Sequence, residues 1–88
     1  MGKTPKKTRA ERLRSGNLDA ARAHCDKVRD RIVQTRKAQG LTAAEVARMM
    51  GISRPFYTQL EGGTRRMGLV YYLMICRVLK VKPGELLK

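Results

Sequence analysis

Leu41-Thr42-Ala43-Ala44-Glu45-Val46-Ala47-Arg48-Met49-Met50-Gly51-Ile52-Ser53-Arg54-Pro55-Phe56-Tyr57-Thr58-Gln59-Leu60-Glu61-Gly62-Gly63 is the stretch that decides the fold. Thr42 followed by Glu45 is a capping box, in which the hydroxyl accepts from the Glu45 amide and the carboxylate reaches back to the start of the helix. Val46, Ala47 and Met50 follow at helical spacing and form the face that this short helix buries. Gly51 stops it. Ser53 caps a second helix, and Pro55 is tolerated in the first turn, where a missing N–H has no partner to lose. The second helix runs to about Glu61, before Gly62-Gly63. Ala47 is small where the two helices must approach, Gly51 frees the backbone for the turn between them, and Ile52 plugs into the core. Two short helices joined in this way make a helix-turn-helix.

Outward from this stretch the chain stays helical. Upstream, Leu18, Ala21, Cys25, Val28 and Ile32 step by three and four, a narrow apolar seam. Asn17 is the expected N-cap, Asp19 suits the positive end of the helix dipole, and Gly40 ends the helix. Downstream, a loop from Thr64 to Gly68 leads to a helix from Leu69 to about Lys80, and Pro83 opens a last helical turn through Leu87. Nothing alternates as a strand does. The expectation is an all-α domain of five helices over residues 17–88. Residues 1–16 form a basic, flexible tail: Lys3, Lys6, Lys7, Arg9, Arg12 and Arg14 stand against Glu11 alone, with little apolar surface to bury.

The whole chain sets the bounds. Its 88 residues make one domain at most. A formal charge of +13 attracts polyanions, nucleic acid first and anionic membrane second. Cys25 and Cys76 are too far apart in sequence for a disulfide framework or a metal site, and both fall in apolar stripes, so both are expected in the core in a reducing compartment. His24 has no ligand-spaced companions and reads as a surface residue. The basic start is not followed by an apolar run, so no secretory signal is expected. The longest uncharged stretch, Met67 to Cys76, is half of the roughly 20 residues that a bilayer span needs. A cytoplasmic protein is expected, without metal, cofactor or small-molecule ligand. It has no nucleophile–base pair, carboxylate pair or phosphate loop, so it is not expected to be an enzyme.

Between Val28 and Leu87 the chain resembles the lambda-repressor/Cro-type (XRE) helix-turn-helix DNA-binding family. The matching residues are Ile32 and Arg36 upstream, then Leu41, Thr42, Glu45, Ala47, Gly51, Ser53, Gln59, Leu60, Glu61 and Gly63 in the motif. Leu69, Leu79, Val81, Pro83, Glu85, Leu86 and Leu87 continue them. The resemblance implies that the helix starting near Ser53 enters the major groove of duplex DNA, with base contacts from Arg54, Pro55, Thr58 and Gln59. Arg54 suits guanine O6 and N7, Gln59 suits adenine, and Pro55 offers only apolar contact. DNA-backbone contacts are expected from Thr42 and Ser53 at the helix starts and from Thr64, Arg65 and Arg66 in the following loop. Family members often carry Gln where Ala43 stands and Asn or Arg where Gly62 stands, and both departures remove phosphate contacts. Phe56 faces either the groove or the core; Tyr57 is expected to be a buried ring with its hydroxyl at the rim. The resemblance also implies a structural salt bridge between Arg36 and Glu61.

The fourth helix carries two apolar stripes. Leu69, Tyr72, Leu73, Cys76 and Leu79 make the expected core stripe. Met67, Val70, Tyr71, Met74 and Val78 make a second, which needs a cover; it is the expected homodimer interface, the alternative cover being the N-terminal helical extension. The resulting expectation is a dimeric transcriptional regulator of a palindromic operator, a repressor of its own operon of phage, restriction–modification or anti-CRISPR type. The alternative is an antitoxin-type protein-binding module that also binds its operator. RNA binding is disfavoured, because no aromatic stacking platform is present.

Overall fold

The computed structural model describes the backbone of residues 9–88 and the side chains of residues 16–88. Five helices follow in order: α1 Arg9–Ala38, α2 Ala43–Met50, α3 Arg54–Gly62, α4 Leu69–Leu79 and α5 Pro83–Leu87. Among the described residues there is no strand.

The caps of the central motif follow the sequence. Thr42 Oγ1 accepts from the Glu45 amide at 3.1 Å, and the Glu45 carboxylate accepts from the Thr42 amide at 3.4 Å. Gly51 takes φ 75° at the end of α2. There its amide bonds to the Arg48 carbonyl, and the Ile52 amide to that of Ala47. This left-handed turn would strain any side chain and sets the angle at which α3 leaves α2. Ser53 Oγ accepts from the Phe56 amide at 3.2 Å, which fixes the start of α3.

The long first helix departs from expectation. It starts at Arg9, so Asn17 lies in its interior and caps nothing. Ala10, Glu11, Arg12, Leu13 and Arg14 are good helix formers, and Gly16 costs only about 1 kcal/mol against alanine. A helix nucleated by packing further on therefore propagates back through them. The helix takes in residues 9–16 of the expected tail; residues 1–8 lie outside the described residues. Among the described residues α1 buries side chains only in its second half, at Val28, Ile32 and Arg36. The first half outruns the other helices, which gives the molecule a length of 59 Å against 25 and 20 Å across. Leu18, Ala21 and Cys25 are exposed, and Cys25 is not a core residue as expected. Cys76 is buried, and burial pushes its thiol pKa up.

The core is a single cluster. Ile32 from α1, Val46 and Ala47 from α2, Tyr57 from α3, Ile75, Cys76 and Leu79 from α4 and Leu86 from α5 all belong to it. On α4 the inward row is Tyr72, Ile75, Cys76 and Leu79. Two members of the expected core stripe are outside: Leu69 is 72% exposed and Leu73 is 40% exposed. Ile75, assigned to neither stripe, is fully buried. The helix is apolar nearly all round, so periodicity could not select which row turns inward.

Polar side chains fasten α5. Tyr72 Oη donates to the Pro83 carbonyl at 2.5 Å, His24 Nε2 to that of Leu87 at 2.5 Å, and Arg31 to that of Leu86 at 3.0 Å. Burial pushes the Tyr72 phenol up to about 12, with the Cys76 thiol adding to the effect. Burial and the bond to Glu61 push Tyr57 up as well. An unfolded tyrosine ionises near ~10. Below that pH both states keep their protons and stability is complete. Above it the unfolded chain ionises first, so stability falls by about 1.4 kcal/mol per pH unit for each ring until the folded phenols ionise too. Tyrosinate absorbance and loss of helical circular dichroism are expected to rise together above pH ~10. Ionisation of Tyr57 and Tyr72 with helicity intact would contradict this.

Candidate nucleic-acid interface

Tyr57 and Leu60 turn the inner face of α3 to the core. The opposite face therefore carries Arg54, Pro55 and Thr58, all exposed, with Gln59 half-buried at its edge. These positions lie at i, i+1, i+4 and i+5, one contiguous strip of helix surface. Arg54 is the first residue of the helix, where the chain emerges from the Gly51 turn. Thr58 Oγ1 donates to the Arg54 carbonyl at 2.9 Å, which leaves its oxygen to accept and its methyl to make apolar contact. Thr42 and Ser53 hold their helix starts through their hydroxyls, so a phosphate there would meet mainly backbone amides. Ala43 and Gly62 supply no side-chain donor. Thr64, Arg65 and Arg66 are exposed in the loop after α3.

One contact made by this strip had no signature in the sequence. Arg65 Nε donates to Gln59 Oε1 at 3.0 Å, and the Arg65 amide donates to the Gln59 carbonyl at 3.2 Å. The Arg65 guanidinium carbon lies 4.7 Å from the Phe56 ring centroid. The Phe56 ring in turn lies 5.2 Å from that of Tyr71, tilted by 59°. Phe56 is thus half-buried between the loop and α4, neither wholly inward nor offered to a groove. A loop arginine six residues from a glutamine follows no periodicity, so only the folded backbone brings them together.

Behind the strip, Arg36 grips Glu61. Arg36 Nε donates to Glu61 Oε2 at 2.9 Å and Nη2 to Oε1 at 3.0 Å, a two-pronged fork. Nη1 donates to the Leu41 carbonyl at 2.9 Å, tying the fork to the chain entering α2. Tyr57 Oη donates to Glu61 Oε2 at 2.6 Å. The ring of Tyr57 is fully buried, and its hydroxyl is a third member of the pair instead of a rim group. The bond to Glu61 raises the Arg36 pKa further, so the guanidinium stays charged. The cluster holds α1, α3 and the start of α2 together at the base of the exposed strip.

The family model for the Cro/C1-type helix-turn-helix DNA-binding domain matches residues 31–88. The chain belongs to this family. DNA is accordingly the partner of the Cro/C1-type domain, and regulation of transcription its broad role. A solved structure of an XRE-family like protein from Pseudomonas syringae pv. tomato superposes with a TM-score of 0.76 at 25% sequence identity, covering 82% of this chain and 88% of the other. No curated protein matches the chain. The match begins at Arg31, where α1 enters the body, so the projecting half of α1 lies upstream of the Cro/C1-type domain. Among the described residues no group of His, Cys, Asp and Glu could hold a metal ion. No helix there is long and apolar enough to cross a membrane.

Proposed function

We propose that this Cro/C1-type protein is a cytoplasmic homodimeric repressor of its own operon, of the phage, restriction–modification or anti-CRISPR type. It reads a palindromic operator through Arg54, Pro55, Thr58 and Gln59. The observation that carries this reading is the strip on α3: a cation at the helix start, followed by an apolar and two polar side chains, all on the face turned away from the core. Phosphates are held by the starts of α2 and α3 at Thr42 and Ser53, and by Thr64 and Arg66 in the loop. The second protomer covers the apolar side of α4. Val70, 69% exposed, is the centre of that surface, beside exposed Leu69 and Leu73. Met67, Tyr71, Met74 and Val78, expected in the interface, spend part of their surface on their own core, and only their outer edges are offered to the partner.

The test is a titration at fixed salt with every base of one half-site varied, on duplexes first selected from a random pool. Two half-sites related by a dyad and centred about one helical turn or a multiple of it apart are expected. Arg54→Ala should leave the helicity unchanged, because the side chain is exposed and the Ser53 cap does not use it. It should cost about 1–3 kcal/mol at one G·C pair in each half-site and less on random DNA. An equal loss on all sequences would make Arg54 a phosphate contact.

The exposed seam of Leu18, Ala21 and Cys25 on the projecting part of α1 favours a second reading, an antitoxin-type module whose basic arm binds an acidic partner protein. A toxin gene beside this one, whose product is neutralised by the full chain and not by a chain lacking residues 1–25, would establish it.

A further inference from the structure

We propose that Gln59 and Arg65 act as one donor-only reading element that selects keto bases, guanine or thymine, and that Arg65 determines specificity in place of clamping a phosphate. The proposal deepens the reading of α3 as the recognition helix and rests on it.

A glutamine that reads adenine needs both ends of its amide: the carbonyl accepts from N6 while the amino group donates to N7. Here the carbonyl is already engaged. Arg65 Nε donates to Gln59 Oε1 at 3.0 Å, and this bond fixes which end of the amide is which. It also sets a full positive charge beside the carbonyl. The amino group of adenine or cytosine brought to that oxygen would meet the guanidinium, which repels it. The keto oxygens of guanine and thymine meet the opposite situation. They are acceptors, and the couple offers them the Gln59 amide hydrogens and the remaining guanidinium hydrogens.

The arrangement is held in advance of binding. A loop arginine would ordinarily sample many rotamers, but this one is fixed at three points. Its backbone amide bonds to the Gln59 carbonyl at 3.2 Å, its Nε to the Gln59 side chain, and its guanidinium rests 4.7 Å from the Phe56 centroid. Phe56 is itself braced by Tyr71 on α4. A residue that only gripped phosphate would need none of these ties. Arg66, its neighbour, is exposed as well and remains available for the backbone.

The experiment compares wild type, Gln59→Ala, Arg65→Met and the double variant on the same set of duplexes, each base of a half-site varied in turn at one salt concentration. Both residues are at the surface, and circular dichroism checks that each variant stays folded. The expected result is one keto position per half-site at which wild type discriminates by about tenfold or more. Gln59→Ala and Arg65→Met each flatten that same position, and the double variant flattens it no further than either alone. Arg65→Met also weakens binding to all sequences by the loss of one charge. Three results would overturn the proposal while leaving the recognition helix in place: a Gln59-dependent position that prefers adenine or cytosine; an Arg65→Met loss equal on every sequence with that position still discriminating; or no position sensitive to Gln59→Ala while Arg54→Ala still flattens its own. A wild type with no preference at any position would overturn the recognition helix and this proposal together.

Discussion

Replacing Arg36 by methionine is expected to destabilise the domain by about 3–5 kcal/mol, the usual cost of leaving one member of a buried ion pair behind. For a domain of this size that is a large part of the roughly 5–15 kcal/mol that separates folded from unfolded chains. The side chains of Arg36 and Glu61 are only 11% and 12% exposed, so water cannot take the place of the missing partner. Glu61 would keep one donor, the Tyr57 hydroxyl, and the Leu41 carbonyl would lose its own. Urea denaturation followed by circular dichroism measures the loss. A companion variant separates the cost of an orphaned charge from the worth of the pair. Arg36→Met, Glu61→Met and Tyr57→Phe together remove every polar member and fill similar volume. That variant should recover all but about 1–2 kcal/mol, the share owed to the Leu41 carbonyl. If Arg36→Met alone costs under about 1 kcal/mol, the pair behaves as a surface salt bridge and the cluster is wetter than its geometry implies.

The parts of this fold legible in sequence are those fixed by neighbours along the chain. Thr42 and Glu45, Ser53 and the glycine at 51 act within three or four residues, so their caps and turns could be read directly, and with them the placement of α2 and α3. Arg54, Pro55, Thr58 and Gln59 are named as base contacts by the family resemblance; the structure places them on the outer side of α3, Gln59 at its edge, because Tyr57 and Leu60 turn inward. Arg36 and Glu61 are far apart in sequence, and family resemblance alone suggested their pairing.

What stayed hidden depends on packing phase or on loops. On α4 several rows are apolar enough to be core, and the choice of Ile75 over Leu69 and Leu73 is made by where α2 and α5 sit. On α1 the seam of Leu18, Ala21 and Cys25 is continuous with Val28 and Ile32, yet only the latter part meets other helices. Periodicity records which face of a helix is apolar, and not where along its length the rest of the protein stops. The Gln59–Arg65–Phe56 contacts, and those of Gln39 with the Leu79 carbonyl at 2.6 Å, join loops and helix ends whose relative position exists only in the folded chain.

Changing Val70 and Leu73 together to glutamate should yield a folded monomer that has lost most of its affinity for the operator. Leu69, Val70 and Leu73 lie at i, i+1 and i+4 on α4, which puts them on one edge of the helix. Their exposures of 72%, 69% and 40% are high for residues of this kind so close together. None is in the buried core, whose α4 row is Tyr72, Ile75, Cys76 and Leu79, so the substitutions leave internal packing intact. In a dimer related by a two-fold axis, each α4 edge meets its own copy, and two or four glutamates would then be brought together in an apolar contact. Like charges desolvated in this way oppose association strongly. Helicity should be unchanged, while sedimentation at tens of micromolar shifts from dimer to monomer. The loss of binding follows from linkage: with two recognition helices joined, the second half-site is engaged at a high effective concentration, and joining is typically worth about 10²–10⁴ in apparent affinity. The double variant should lose about that much on the full operator and almost nothing on an isolated half-site. Equal affinities of wild type and variant for the full site, or a variant that still sediments as a dimer, would place the interface elsewhere. In that second case the projecting half of α1, with Leu18, Ala21 and Cys25 in a row at heptad spacing, is the surface to substitute next.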